Sequence, residues 1–159
     1  MNKSILFLLA FCLVSCVEAP YWSTQHDFDE EAWQSSELVE FEFPVESTDI
    51  RYDLLINLRN NNTYPFSNIF LITQMQGPNG IQLVDTLEFE MADKQGNWLG
   101  SGITDIKESL LVFKEDFEFD EIGVYDLTIK QAVRRLGEAK AVDPLEGVVG
   151  IGITIELKE

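Results

Sequence analysis

The chain has 159 residues, 11 of them basic and 28 acidic, for a net charge of −17 at neutral pH. That balance repels phosphate backbones and anionic lipid headgroups, and it excludes nucleic-acid binding as a function. With one histidine and two cysteines in all, zinc sites built on those ligands and His-dependent nucleophilic catalysis have almost nothing to draw on.

The first element reads as an export signal. Lys3 precedes an apolar run over residues 5–14. This run is too short to cross a bilayer, which takes about 20 residues, but it suits a secretory signal peptide. Leu13-Val14-Ser15-Cys16 resembles the bacterial lipobox. The resemblance implies cleavage after Ser15 and a diacylglycerol thioether on Cys16, with residues 1–15, including Cys12, removed. Each acyl CH₂ contributes about 0.8 kcal/mol, so two or three chains anchor a protein firmly. The mature chain then has no free thiol and no disulfide, and losing Lys3 from the 11 basic residues brings its net charge to about −18.

Residues 17–36 are polar and acidic without sustained periodicity. They read as a tether spanning 16–36, ordered in part where Trp22, Phe28 or Trp33 docks. Within it, Asp27-Phe28-Asp29-Glu30-Glu31 lacks the spacing and central glycine of a calcium loop and reads as solvated acid. A single domain is expected over 37–159, long enough for one core.

From Glu37 the pattern has period two. Val39, Phe41 and Phe43 share one face, and Pro44 closes that strand. Tyr52, Leu54, Ile56 and Leu58 line the next strand, and 60–65 reads as a turn. Residues 68–76 are apolar on both faces, which predicts a central strand. Gly77-Pro78-Asn79-Gly80 turns the chain into 83–91, and 93–98 turns it again. Residues 98–103 read as a short strand, and 107–113 as a strand or a short helix. Residues 124–133 and 148–157 are strands with clear alternation. The total of seven or eight short strands predicts an all-β fold, a single antiparallel β-sandwich of Greek-key or jelly-roll type. Glu121, Gly123 and Tyr125 before a strand suggest a tyrosine corner, its hydroxyl bonded back to nearby backbone.

Candidate chemistry is sparse. The one histidine, His26, falls in the tether. Gly147-Val148-Val149-Gly150-Ile151-Gly152 opens a strand rather than a helix, so tight turning and close packing explain it better than phosphate binding. The carboxylates are numerous, but no two are singled out as a glycosidase pair. Asp85-Thr86-Leu87 resembles an O-glycosylation motif of exported proteins in Bacteroidetes-type bacteria, with Thr86 as the acceptor. The plain alternative makes Thr86 a β-branched strand residue.

Tyr52-Asp53-Leu54, Leu58-Arg59-Asn60 and Tyr64-Pro65-Phe66-Ser67-Asn68-Ile69 are similar, in order and spacing, to a stretch of the gliding-motility lipoprotein GldH family. The similarity continues through Asp85-Thr86-Leu87-Glu88, Gly96-Asn97-Trp98-Leu99-Gly100, Gly123-Val124-Tyr125 and Gln131-Ala132-Val133 to Gly150-Ile151-Gly152-Ile153. Residues 135–147 stand apart as a charged, variable loop. The resemblance implies a non-enzymatic outer-membrane lipoprotein of the cell envelope, needed for gliding and tied to type IX secretion. It implies no cofactor, metal or small-molecule substrate. Its expected partners are the membrane, through the lipid on Cys16, and other envelope proteins of the gliding machinery. Arg59, Tyr64, Asn68 and Trp98 are the candidate interaction surface; the plain reading has them capping turns and filling the sandwich ends. A carbohydrate- or peptide-binding surface lipoprotein is the alternative, and an exposed aromatic row across one sheet would favour it.

Overall fold

The period-two stretches pair into two four-stranded antiparallel sheets in the computed structural model, which describes residues 19–158. Residues 1–18, and with them the signal peptide and Cys16, lie outside the described residues. The strands are β1 (Trp22–Asp27), β2 (Ala32–Trp33), β3 (Val39–Val45), β4 (Arg51–Asn60), β5 (Asn68–Gln76), β6 (Gln82–Glu90), β7 (Lys107–Phe117), β8 (Gly123–Gln131), β9 (Leu145–Glu146) and β10 (Val148–Lys158). One sheet runs β1-β10-β4-β7 and the other β3-β8-β5-β6, while β2 and β9 form a separate ribbon. That double order, with every pairing antiparallel, is a jelly roll, the eight-stranded two-sheet form of the expected sandwich.

Alternation builds the core. Tyr52, Leu54, Ile56 and Leu58 of β4 are fully buried, as are Ile69 and Leu71 of β5, Leu127 and Ile129 of β8, and Ile151, Ile153 and Ile155 of β10. Each such side chain contributes on the order of 1.5–3 kcal/mol of burial. As expected, β5 is central, between β8 and β6.

The tether reading is corrected from Trp22 onward. β1 pairs with β10 from Trp22↔Ile155 to Asp27↔Gly150 and supplies one edge of its sheet. Phe28 and Trp33 are buried and stacked with centroids 4.8 Å apart, and the Trp33 indole donates to the Glu37 carbonyl at 3.1 Å. Ser23, Gln25 and Asp27 of β1 face outward, while its inner face carries Thr24, His26 and a single apolar residue, Trp22, which packs against Phe43 of the opposite sheet, so the strand carries little periodic signal. His26 therefore sits in a strand, where its ring meets Glu37 at 3.2 Å and Phe28 edge-on.

Three smaller readings also change. Residues 98–103 make only isolated bridges, Ala92↔Trp98 and Ser101↔Glu108. The ambiguous stretch from Lys107 is an eleven-residue strand. Pro44 lies within β3, not at its close; β3 is an edge strand, where the missing N–H is tolerated.

The strands define two ends. Residues 22, 45–51, 76–82 and 117–123 meet at the near end, where the described chain enters the fold. Residues 27–39, 60–68, 90–107 and 131–148 meet at the far end.

Candidate interaction surface

Three of the four candidate residues come together at the far end. Tyr64 is buried and donates its hydroxyl to the Asn68 carbonyl at 2.7 Å. Burial pushes its pKa up, out of the ordinary tyrosine range. Its ring packs on Phe66 and on Trp98, with centroids 6.0 and 6.1 Å away. The Trp98 indole donates to Asn62 Oδ1 at 3.1 Å, and the Asn68 amide donates to Glu88 Oε1 at 2.7 Å. Arg59 stands apart, on the outer face of β4. Its guanidinium crosses the bare backbone of Gly150 and pairs with Asp27 of β1. A Cβ at Gly150 would meet that guanidinium at 2.8 Å, so the glycine leaves the path open.

These bonds give the four residues structural work. Arg59 clamps the N-terminal edge strand across β10, and Tyr64, Asn68 and Trp98 close the far end of the sandwich. The other motifs that carry the family resemblance behave alike. Asp85, on the inner face of edge strand β6, meets Lys114 Nζ at 2.7 Å. A register irregularity in β7 near Lys114 brings it to this position between the sheets. Asp93 accepts from the backbone N–H groups of Gln95 and Asn97 and from the Asn97 amide. Those donors, the Asn97 side chain foremost, hold its pKa below the usual carboxylate range. Gln131 is buried, bonded to the Val142 carbonyl and the Val133 amide. Tyr125 donates to the Glu121 carbonyl at 3.1 Å and accepts from the Glu121 N–H at 3.3 Å, the tyrosine corner that the spacing predicts.

Thr86 is exposed on the outer face of β6, a strand paired only with β5, and its hydroxyl is open to solvent. Cys16 lies outside the described residues. Among the described residues, no group of three or more His, Cys, Asp and Glu side chains could hold a metal ion. No helix among them is long and apolar enough to cross a membrane, which says nothing of strands.

The most exposed large apolar side chains are ones that sequence reading did not assign to a surface. Ile103 and Leu136 are fully exposed on far-end loops, joined there by Leu99 and Leu38 at about half exposure. The signal is a lone aliphatic residue in a turn-rich setting, as in Gly102-Ile103-Thr104-Asp105 and Leu136-Gly137-Glu138. Such residues bury nothing in the domain itself. All the exposed large apolar residues are Leu, Ile or Val, so the aromatic row that would mark a sugar-binding face is not formed by the described residues.

The sequence matches the family model described as GldH lipoprotein over residues 21–155. The chain belongs to that family. It is 44% identical over 163 residues to the gliding motility lipoprotein GldH of Flavobacterium johnsoniae, covering 99% of this chain and 98% of that one. It is 41% identical over 155 residues to the gliding motility lipoprotein GldH homolog of Christiangramia forsetii, covering 95% and 94%. Among solved structures, the infectious bursal disease virus VP2 subviral particle aligns with a TM-score of 0.38 and 14% identity, over 87% of this chain and 33% of that one. This chain thus spans about a third of the viral chain's length. The stretches that carry the resemblance map onto the bonds described above, and in this chain those bonds hold the jelly roll and its closed far end.

Proposed function

We propose that this protein is a lipid-anchored, non-enzymatic accessory component of gliding motility, working at the outer membrane by binding other envelope proteins and linked to type IX secretion. The observation that carries this reading is the near-full-length similarity to a relative named as a gliding motility lipoprotein. The fold agrees with it. The motif residues are engaged in holding the jelly roll, and the far end offers exposed aliphatic loop tips among acidic side chains, features suited to protein contact. In this reading the lipid on Cys16 supplies the anchor, and Ile103 and Leu136, rather than Arg59, Tyr64, Asn68 and Trp98, supply the contact.

The test is deletion and complementation in a gliding host. Deletion abolishes colony spreading and type IX-dependent secretion, and the unaltered gene restores both. A combined Ile103→Asp and Leu136→Asp variant, present at normal level in the membrane fraction, restores them poorly. Intact spreading and secretion in the deletion strain would sink the proposal.

A further inference from the structure

The point at which the chain enters the fold has a consequence for how the domain meets its membrane. Trp22 opens β1 at the near end. Cys16 lies six residues upstream, and six residues of fully extended chain reach at most about 20 Å. If the lipid sits on Cys16, as in the reading above, the near end is held close to the bilayer. Strands of nine to eleven residues then set the far end about 30 Å farther out.

The near end also carries an apolar rim. Tyr21 donates to the Pro44 carbonyl at 3.2 Å. Pro44 stands opposite Val124 in the β3–β8 register. Ile122 directly precedes Gly123, whose missing Cβ would lie 2.6 Å from the Pro78 ring. Pro78 belongs to the hairpin turn that ends at Ile81, where Gly77 N–H bonds the Ile81 carbonyl at 3.2 Å. Val124, Ile122 and Ile81 are 56, 63 and 59% exposed. An apolar row thus runs from the corner where the anchor segment arrives to the opposite corner of the same end. A row of this kind on an otherwise acidic domain marks a contact surface.

We propose that this rim is a bilayer contact. Ile81, Ile122 and Val124 seat at the boundary of headgroups and acyl chains in the membrane that carries the lipid anchor, and this holds the domain upright with its far-end loops turned away. The proposal rests on the anchor reading given above. The flanking charges define the lipid class. Glu46 and Asp49 on one near-end loop, and Glu118, Asp120 and Glu121 on another, are exposed. The nearby cations, Arg51 and Lys158, are paired with carboxylates of the same end, Arg51 with Asp116 and Glu118, and Lys158 with Asp53, Glu115 and Asp116. Glu46, Asp49, Asp120 and Glu121 have no such ion pair among the described residues; carboxylates left so suit zwitterionic headgroups with an exposed ammonium and are repelled by anionic ones. The occupant is therefore a phosphatidylethanolamine-type surface.

The test uses the full lipidated protein in vesicles of phosphatidylethanolamine and phosphatidylcholine containing a nitroxide-labelled lipid. A fluorophore is placed at the near end through Glu121→Cys or at the far end through Glu138→Cys; each is the sole thiol once Cys16 is acylated. The near-end label is expected to be quenched several-fold more than the far-end label. Adding Ile81→Asp and Ile122→Asp should bring near-end quenching down toward the far-end level while the protein still floats with the vesicles and melts at an unchanged temperature. Equal quenching at the two ends of a floating protein would overturn the orientation and leave the anchor standing, as would near-end quenching that ignores the two aspartates. A protein that does not float with vesicles would overturn the anchor reading, and this inference with it.

Discussion

Gly147→Ala tests whether the glycine-rich entry to β10 is there for packing. Gly147 has φ +78°, and a Cβ added to it would lie 2.5 Å from Tyr64 Cα and 2.8 Å from the Thr63 carbonyl carbon. The residue also joins three far-end segments: its N–H donates to the Glu31 carbonyl and its carbonyl accepts from Asn61 N–H, both at 2.9 Å. Left-handed backbone costs a non-glycine residue about 1–2 kcal/mol. Clearing the methyl group requires the 61–64 turn to retreat by roughly an ångström, which disrupts hydrogen bonds worth about 0.5–1.5 kcal/mol each. The sum is a loss of about 2–5 kcal/mol, a large part of the roughly 5–15 kcal/mol that stabilises an ordinary domain. Gly80 is the internal control, since it has the same φ of +78° and nothing within 4 Å of its would-be Cβ. Gly80→Ala should carry the backbone cost alone, about 1–2 kcal/mol. The assay is urea unfolding of a lipid-free chain beginning at residue 19, followed by tryptophan fluorescence. Equal losses for the two variants would refute the packing argument.

Further outcomes follow from the same geometry. Tyr125→Phe removes both hydroxyl bonds of the corner and should lower stability by about 0.5–1.5 kcal/mol, read as a shift in denaturant midpoint; an unmoved midpoint argues against the corner. Burial raises the pKa of Tyr64 above its ordinary 10.0, so the unfolded chain releases that proton first. This contribution to stability is fully present below pH 10 and is lost as pH rises further. Tyr64→Phe should therefore flatten the alkaline decline in a pH series of unfolding curves, although it also forfeits the bond to Asn68; an unchanged slope rejects the buried-tyrosine account. Cys16→Ser should move the protein from the detergent phase to the aqueous phase after phase partitioning of whole cells; retention in the detergent phase rejects the anchor.

What could be read in advance depended on how burial was distributed along each strand. β3, β4, β8 and β10 put apolar side chains inward at alternate positions, so period two identified them, whereas β5 stood out because it is apolar on both faces. β1 could not announce itself that way. Its interior is reached mainly by Trp22, while its place in the sheet depends on backbone pairing with β10 and on Arg59 reaching across Gly150 to Asp27. Those are contacts between residues more than thirty positions apart, and no local pattern encodes them. The candidate surface was left with two readings for a related reason. Tyr64 and Trp98 are large, polar-tipped and next to turns, which is equally the description of a binding residue and of a plug with one hydrogen bond to make. Their packing against each other shows them as plugs. Ile103 was read as the end of a short strand and Leu136 as part of a charged loop, because a single aliphatic residue among polar ones has no period, and only the fold reveals that nothing covers either. Residue type and spacing therefore served well for the parts of this chain that face inward. In the proposed reading its outward-facing work depends on which end the lipid anchor leaves free, and that follows from the direction in which β1 enters the sheet.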